Sequence, residues 1–353
     1  MLRVLLRRYI AVKSTHQLCY SSCVLYASGN LRQTAAVAAM ADGWTRHLTP
    51  APVDRLAGLI DFSITYSTNT SSKFWFSPSL RDFHEVEFDA KGGKIVHVSA
   101  GRRHFAVLTT HGNVYLTDTE GLQQEWYVPH KVASANCHQI VCGLDHTLLL
   151  CKDGRVFSHG WGADGQTGIG NEVTLTNFTT VVGDIQNKMI SRIDTCVDSC
   201  YALAADGTVF AWGNNEYSQL GVDSSELQVL APQQCHLPTL SEEIIQIASC
   251  GTFTCCLTAS GNLYYWGTLE PDNHCRNGIK LYGSETSFGP VSSLHAGLHY
   301  IVACCTEALL VWGSYPGHFG GTELQPLKIS IPSNVNILSV SPMLHELVIL
   351  ADK

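Results

Sequence analysis

Residues 191–221, SRIDTCVDSCYALAADGTVFAWGNNEYSQLG, contain two short runs of alternating apolar and polar residues separated by Asp206-Gly207. Such alternation is typical of half-buried strands, and Asp-Gly supplies the positive φ values that a two-residue hairpin turn requires. The second run ends in Trp212-Gly213 and is followed by a polar loop that closes on Gln219-Leu220-Gly221. The segment therefore predicts a β-hairpin followed by a structured outer loop.

The same pattern recurs along most of the chain. The further copies are IVHVSAGRRHFAVLTTHGNVYLTD (95–118), HQIVCGLDHTLLLCKDGRVFSHG (138–160), IIQIASCGTFTCCLTASGNLYYWG (244–267), VSSLHAGLHYIVACCTEALLVWG (291–313) and NILSVSPMLHELVILADK (336–353). When they are aligned on Gly101, Gly143, Val197, Gly251, Gly297 and Pro342, the intervals are 42, 54, 54, 46 and 45 residues. Repeats of this length, built from short strands without helical periodicity, indicate an all-β protein of the β-propeller class.

Two further segments complete the predicted ring. DFSITYSTNTSSKFWFSP (61–78) has two β-rich runs around a polar turn and fits a divergent seventh unit. The last unit ends at Asp352-Lys353, before its outer strand, and CVLYASGN (23–30) has the shape of that missing strand. We therefore predict a seven-bladed propeller whose last blade is closed by the N-terminal strand, which removes the exposed edges of an open ring.

The form G-x-x-H-T, D-G-x-V-F-x-W-G-x-N and Q-L-G of these units resembles the regulator of chromosome condensation repeat. The resemblance covers residues 95–353 and is strongest over 138–170 and 191–221. It implies the seven-bladed propeller of that family. It does not select one function, because the family includes exchange factors, ubiquitin ligase modules and scaffolds.

Two stretches, residues 160–170 and 211–238, are similar to the corresponding blades of a mitochondrial branch of this family. That resemblance implies a protein of the mitochondrial matrix, or one peripherally associated with the inner membrane. It also implies nucleotide exchange on a mitochondrial GTPase, or assembly of the large ribosomal subunit with assembly proteins and possible contacts to ribosomal RNA. The chain lacks a long insertion that could act as a wedge against a GTPase. A scaffold without exchange activity therefore stays open, as does an unrecognised propeller hydrolase or lyase.

The first 22 residues differ from the rest of the chain. They include Arg3, Arg7, Arg8 and Lys13, and no acidic residue occurs before Asp42. An amphipathic, Arg-rich, acid-free segment is typical of a mitochondrial targeting peptide. We expect residues 1–22 to be this segment and residues 23–353 to be the propeller, the alternative being a basic tail without a targeting role.

The composition limits the partners. The formal charge of -8 and the pI near 6.0 argue against broad electrostatic binding to nucleic acid, and we expect no DNA partner. No run approaches the roughly 18 apolar residues that span a bilayer. The fourteen cysteines are scattered, and we expect reduced thiols rather than a disulfide framework. We expect a monomer.

Gly160, Gly162 and Gly165 form a G-x-G-x-x-G pattern, which by itself suggests a dinucleotide-binding loop. The residues that follow are rich in Gly and β-branched side chains and predict no helix, whereas a Rossmann loop requires one. Aligned with the other units, the glycines belong to the loop after a propeller strand. We therefore expect no cofactor.

The histidines and cysteines are interpreted as structural. His104, His146 and His345 stand three residues after the anchor glycine or its equivalent, a position that Cys200 and Thr254 occupy in other units. Cys196 and Cys200, like Cys19 and Cys23, have a C-x3-C spacing, but residues four apart on a strand lie roughly 13 Å apart, too far to share a zinc ion. No metal site and no catalytic residue is predicted.

The candidate partner-binding residues are Trp161, Asp164 and Gln166. An exposed tryptophan in a polar loop is a plausible interface anchor. The alternative is that Trp161 packs between blades as Trp212 is expected to do. An exchange factor needs only to bind the nucleotide-free GTPase more tightly than the loaded form, so the absence of an acid–base pair does not exclude exchange.

Overall fold

The computed structural model describes residues 23–29, 45–48, 53–58, 62–68, 72–77, 83–116, 130–133, 136–237, 242–270, 273–283, 288–306, 308–314, 325–331, 336–343 and 346–352. The expected targeting segment, residues 1–22, lies outside the described residues. The all-β prediction is confirmed: the described residues contain 28 strands and one short 3-10 helix, Gly183–Ile185, and no α-helix.

The strands are β1 Cys23–Gly29, β2 Thr45–Leu48, β3 Arg55–Gly58, β4 Ser63–Tyr66, β5 Lys73–Ser77, β6 His84–Glu87, β7 Ile95–Ala100, β8 Phe105–Thr109, β9 Val114–Leu116, β10 His130–Ala133, β11 Cys137–Cys142, β12 His146–Cys151, β13 Val156–Gly160, β14 Leu175–Thr180, β15 Ile190–Thr195, β16 Ser199–Ala204, β17 Val209–Asn214, β18 Gln228–Gln234, β19 Ile244–Ser249, β20 Phe253–Thr258, β21 Leu263–Glu270, β22 Asn273–Tyr282, β23 Ser293–Ala296, β24 Tyr300–Cys304, β25 Ala308–Gly313, β26 Leu327–Ser330, β27 Asn336–Pro342 and β28 Glu346–Asp352.

These strands form seven antiparallel sheets of four strands each. Six of the sheets contain four consecutive strands, beginning with β3, β7, β11, β15, β19 and β23. The remaining sheet has the order β2-β1-β28-β27, so it combines the first and last strands. The first strands of the six consecutive sheets and β27 contact one another in a closed cycle, β3-β7-β11-β15-β19-β23-β27-β3, around the axis of the molecule.

The divergent segment 61–78 forms β4 and β5, which pair from Ser63 with Ser77 to Tyr66 with Phe74. Its polar turn is held from outside the hairpin: both the backbone N–H and the hydroxyl of Thr68 donate to the Asp54 carboxylate, at 2.8 and 2.7 Å. Ile64 and Phe74 of this segment are fully buried. This unit therefore shares the β-sheet architecture of the others although it lacks their signature residues.

The core lies between neighbouring sheets, which explains the recurrent Trp-Gly. Trp212, Trp266 and Trp312 lie in the third strand of their sheets and are almost completely buried. Trp212 Nε1 donates to the Gln166 carbonyl oxygen of the preceding sheet at 3.0 Å. The next residue, Gly213, has φ of +98°, and a Cβ there would overlap the Asp198 carbonyl oxygen. Glycine is needed because the backbone of two strands meets at this point.

The strand register corrects the alignment of the units by one residue. We call the turn between the first and second strands of a sheet its inner turn. The last backbone pair before this turn is Cys142 with Thr147, Thr195 with Cys200, and Ser249 with Thr254 in three consecutive sheets. The residues equivalent to Gly143 are therefore Cys196 and Cys250, not Val197 and Gly251. In the last unit the final pair is Pro342 with Leu347, so the equivalent residue is Met343 rather than Pro342.

The histidine position is corrected in the same way. Ser199, Phe253 and Tyr300 are equivalent to His104 and His146, whereas Cys200 and Thr254 are equivalent to Thr147. His345 lies outside the described residues and precedes the equivalent strand position by one residue. The structural role is confirmed for His104 and His146, because both are buried and contact hydroxyl groups of the next sheet.

The imidazole rings explain the glycine of the G-x-x-H motif. A Cβ atom at Gly143 would overlap Cε1 of His146 and lie 2.6 Å from Nδ1, and a Cβ at Gly101 would meet His104 in the same way. His146 Nε2 lies 2.9 Å from Thr195 Oγ1 and 3.2 Å from Cys200 Sγ. Burial lowers the pKa of His146 to about 3 and that of His104 to about 4, so both rings are neutral at physiological pH.

Candidate partner-binding face

The loop 161–174 connects β13 to β14 and lies at the end of the propeller where the inner turns 143–145 and 197–198 also lie. Trp161 N–H donates to the Asp145 carbonyl oxygen at 2.9 Å, which joins the loop to the inner turn of its own sheet. A Cβ at Gly162 would overlap the Val173 carbonyl oxygen, so the two ends of the loop touch. Gly160 lies against the Asp145 carbonyl oxygen, and Gly165 lies against β18 of the next sheet, so the three glycines of the G-x-G-x-x-G pattern serve close backbone approaches.

Trp161 is 49% exposed, whereas Trp212 is fully buried. The alternative that Trp161 packs between blades is therefore wrong. In the repeat alignment Trp161 occupies the position of Asn214, one residue beyond the glycine that ends the strand. Because that position points away from the inter-sheet core, the structure leaves a large aromatic side chain on the surface.

Gln166 has a different role from the one expected of a contact residue, because it is fully buried. Its side-chain amide donates to Asp198 Oδ1 at 3.0 Å, and its Oε1 accepts the Asp164 N–H at 2.9 Å. Its carbonyl oxygen accepts the Trp212 indole N–H. Gln166 thus fixes the loop and ties it to the next sheet, while Asp164 stays partly exposed at the loop surface.

Three carboxylates and one guanidinium lie together beside this loop. Arg102, on the inner turn of the preceding sheet, forms an ion pair with Asp145, with Nε 3.2 Å from Oδ1. Burial, and after it the neighbouring charges of Asp164 and Asp145, raise the pKa of Asp198, which comes to about 6. The Gln166 hydrogen bond and the Arg102 charge oppose this shift.

The shifted pKa of Asp198 predicts a pH dependence of stability. Since the folded state binds the Asp198 proton more tightly than the unfolded state, with a pKa of about 6 against the ordinary value of 3.8, this group lowers the free energy of unfolding as pH rises through that window. Asp198→Asn keeps an oxygen acceptor for Gln166 and cannot ionise. We expect its stability relative to the natural protein to rise between pH 4 and pH 7, by up to about 2 kcal/mol.

Urea denaturation at several pH values measures this difference. Asp153→Asn is the matched control, because Asp153 is exposed and Arg155 lowers its pKa. Its stability difference should not change between pH 5 and pH 7. A flat profile for Asp198→Asn as well would show that Asp198 ionises normally.

The equivalent loop of the next sheet, residues 214–227, extends the same face. Asn215 N–H donates to the Leu227 carbonyl oxygen at 2.7 Å, the same closure that Gly162 and Val173 make. The two loops belong to neighbouring sheets, and the first contacts the strand that follows the second: Gly170 N–H donates to the Leu230 carbonyl oxygen of β18. Both loops therefore contribute to one surface, which we call the outer-loop face.

The outer-loop face is both apolar and acidic. Its exposed apolar side chains are Trp161 (49%), Val173 (53%), Tyr217 (39%) and Leu227 (61%). Its acidic residues are Asp164, Glu172, Glu216, Asp223 and Glu226, and residues 161–174 and 214–227 contain no Lys or Arg. Val173, Tyr217 and Leu227 are not among the candidate residues predicted from the sequence; the repeat register, in which Val173 and Leu227 are equivalent, is the signal that could have indicated them.

The described residues contain no group of three or more His, Cys, Asp or Glu side chains arranged to hold a metal ion. Cys196 and Cys200 point to different partners: Cys196 Sγ donates to the Gly297 carbonyl oxygen, and Cys200 Sγ lies against His146 and Thr195. In the part of the chain that the structure describes, no helix has the length and hydropathy required to cross a membrane.

Comparison with known proteins identifies the repeats. Two family models, both described as the regulator of chromosome condensation (RCC1) repeat, match residues 137–166 and 206–257. A mouse protein named RCC1-like G exchanging factor-like protein is 34% identical over an alignment of 271 residues, and the match covers 68% of this chain and 58% of the mouse protein. The chain thus spans little more than half the length of this relative.

Two solved structures have the same fold. The crystal structure of human WBSCR16 aligns with a TM-score of 0.78 at 23% identity, covering 94% of this chain and 100% of the other. Prp20p from Saccharomyces cerevisiae, whose binding to Gsp1p and histones has been characterised, aligns with a TM-score of 0.74 at 20% identity, covering 94% and 91%. At these identities the likeness establishes the propeller fold.

Proposed function

We propose that this chain, which belongs to the family of proteins built from RCC1 repeats, is an exchange-factor-like propeller that binds a mitochondrial GTPase through its outer-loop face. The observation that carries the proposal is the exposed Trp161 on a rigid, acidic loop. The homologous mouse protein, whose name describes a G exchanging factor-like protein, supports the class of partner.

The chemistry of the face supports a protein partner. Exposed aromatic residues such as Trp161 and Tyr217 resemble the anchors that dominate binding energy at protein interfaces. The surrounding carboxylates complement a basic surface and would accelerate encounter with it. Exchange then follows if the face binds the nucleotide-free GTPase more tightly than the loaded one, without any covalent step.

The competing hypothesis is a scaffold without exchange activity, including one that assists assembly of the large subunit of the mitochondrial ribosome. The outer-loop face disfavours direct contact with ribosomal RNA, because its five carboxylates repel phosphate. In this alternative the same face would bind an assembly protein with a basic surface, and nucleotide release from a GTPase would not change.

Replacement of Trp161 tests the proposed function. We expect the natural protein to accelerate release of labelled GDP from one of the mitochondrial GTPases, and Trp161→Ala to reduce that acceleration about 10-fold or more, the effect of losing an interface anchor. Met189→Ala is the matched control, because Met189 is also exposed, at 56%, but packs beside the hairpin turn at Gly154, at the opposite end of the sheets.

The outcomes separate the two hypotheses. If no GTPase releases GDP faster, exchange is excluded; binding of a GTPase that Trp161→Ala weakens would still support the outer-loop face as the interface. Equal losses for Trp161→Ala and Met189→Ala would instead place the interface elsewhere.

We also propose that residues 1–22 direct the protein to mitochondria. A fluorescent protein carrying residues 1–30 at its N-terminus should accumulate in mitochondria, because an amphipathic, acid-free segment is recognised by mitochondrial import. Replacing Arg3, Arg7 and Arg8 by Glu in the fusion should abolish the accumulation. A cytosolic natural fusion would contradict the mitochondrial assignment.

A third element of the proposal is that β1 closes the ring and that the seven sheets behave as one unit. It rests on the pairing of β1 with β28 along seven residues, from Cys23 with Asp352 to Gly29 with Glu346. A closed ring has no unpaired strand edge between its first and last sheets. The rigid arrangement of the outer-loop face would depend on this closure.

A further inference from the structure

Cys137 and Cys151 face each other across β11 and β12, and their Sγ atoms lie 3.1 Å apart. The backbone around them defines the type of strand pair. Lys152 N–H donates to the Asn136 carbonyl oxygen, and Cys151 N–H donates to the Arg155 carbonyl oxygen instead of to Cys137. The two cysteines thus form a non-hydrogen-bonded pair, for which the Cα atoms are about 4.5 Å apart.

That separation suits a disulfide. Disulfides join residues whose Cα atoms are about 4.4 to 6.8 Å apart, and in a non-hydrogen-bonded pair the two side chains leave the sheet on the same face. The short register irregularity after Cys137 lies beside the pair and gives β11 local freedom to adjust. Little backbone movement is needed to bring the sulfur atoms into bonding distance.

Two features of Cys151 favour its reaction. It directly precedes the exposed turn residues Lys152 and Asp153, so opening of the hairpin end would expose it. The hydrogen bond with Cys137 lowers the pKa of Cys151, whereas burial raises the pKa of Cys142 and Cys200. Thiolate is the nucleophile in disulfide exchange.

We propose that Cys137 and Cys151 form a reversible disulfide by exchange with a low-molecular-weight disulfide such as oxidised glutathione. The Cys151 thiolate attacks one sulfur of oxidised glutathione, forms a mixed disulfide and releases one glutathione thiolate. The Cys137 thiol loses its proton and attacks Cys151 Sγ, which releases the second glutathione. Two protein thiols are oxidised and one glutathione disulfide is reduced to two thiols.

Cysteines that are adjacent on one strand do not offer the same geometry. Cys255 and Cys256 are adjacent on β20, so their side chains point to opposite faces of the sheet. Cys235 Sγ donates to the Leu220 carbonyl oxygen. The Cys137–Cys151 bond would join the inner strand β11 to β12 in the sheet that carries Trp161, and would close the loop 138–150 in the unfolded chain.

The test uses the full, folded protein. After incubation with oxidised glutathione, free thiols are blocked with iodoacetamide and the peptides are mapped by mass spectrometry. We expect a Cys137–Cys151 crosslink, with the protein lighter by two hydrogen atoms, which dithiothreitol reverses. Oxidation should raise the thermal midpoint by a few degrees, because the crosslink restricts the unfolded chain.

Single substitutions identify the order of attack. In Cys137→Ala the resolving thiol is missing, so Cys151 should retain glutathione and oxidation should not raise the thermal midpoint. Cys235→Ala, which removes a buried cysteine from another sheet, should form the crosslink as the natural protein does. The proposal is overturned if the natural folded protein forms no Cys137–Cys151 crosslink, or forms it only in denaturant. Neither result depends on a GTPase.

Discussion

A protein that begins at residue 30, and so lacks β1, should lose much of the stability of the whole ring. Removing β1 takes away seven residue pairs with β28 and also the pairing of β2. At about 0.5–1.5 kcal/mol for each net hydrogen bond, we expect the free energy of unfolding to fall by at least ~4 kcal/mol. Thermal unfolding followed by circular dichroism measures the change.

Removing β1 should also destabilise the neighbouring sheet, because β28 packs against that sheet. Residues Leu347–Ala351 of β28 are buried, and Val348 and Leu350 pack in a cluster with Val53 and Leu56 of the neighbouring sheet. Without β1, β28 becomes an exposed edge, so its backbone groups lose their partners and the protein becomes prone to aggregation.

A matched truncation separates the strand from the segment before it. A protein that begins at residue 23 keeps β1 and should melt close to the temperature of the full chain. Equal melting temperatures for the proteins that begin at 23 and at 30 would contradict closure of the ring by β1. Adding a peptide with the sequence of residues 23–29 to the shorter protein should partly restore its stability if the strand binds at that edge.

The hairpins could be predicted from the sequence because their determinants are local. Turns such as Asp206-Gly207 fix the two strands on either side, and the alternation of residues fixes which side faces the core. The segment 61–78 was predicted from the same signals without any signature residue. Repetition then makes the prediction secure, since independent copies give the same answer.

The errors in the sequence-based alignment arise at positions where contacts between sheets determine which residue is accommodated. The alignment was wrong by one residue because Val197 and Gly251 resemble the anchor glycine, whereas the strand register places Cys196 and Cys250 there. At Gly101 and Gly143 glycine leaves room for the histidine ring; where the equivalent of the histidine is Ser199, the side chain of Cys196 is accommodated. This dependence is a packing relation that linear spacing does not carry.

In the candidate site, too, local sequence predicts some features, whereas contacts between sheets determine the others. Exposure of Trp161 could be anticipated because it stands where another unit has asparagine. The burial of Gln166 could not, because its side chain is held by Asp198, 32 residues later and in the next sheet. The residues that complete the outer-loop face, Tyr217 and Leu227, become visible only when the two loops are known to belong to neighbouring sheets.

Gly143→Ala should destabilise the protein by about 3 kcal/mol, through overpacking and the loss of a buried hydrogen bond. The new Cβ would overlap the His146 ring, which is buried and cannot move without losing its contact with Thr195 Oγ1. Gly251→Ala is the matched control: it lies in an equivalent turn, and its Cβ would lie 3.1 Å from its nearest neighbour, the Leu298 carbonyl oxygen. We expect a loss below about 1 kcal/mol there.

A double-mutant cycle tests whether the imidazole is the cause. His146→Ser reproduces the pairing found naturally at Cys196 and Ser199, where the anchor residue has a side chain and the paired residue is small. We expect His146→Ser alone to be destabilising, and the addition of Gly143→Ala to that variant to cost less than about 1 kcal/mol more. Chemical denaturation of the four proteins gives the coupling energy. Additive losses would mean that Gly143 is required by the backbone of the turn and not by the histidine ring.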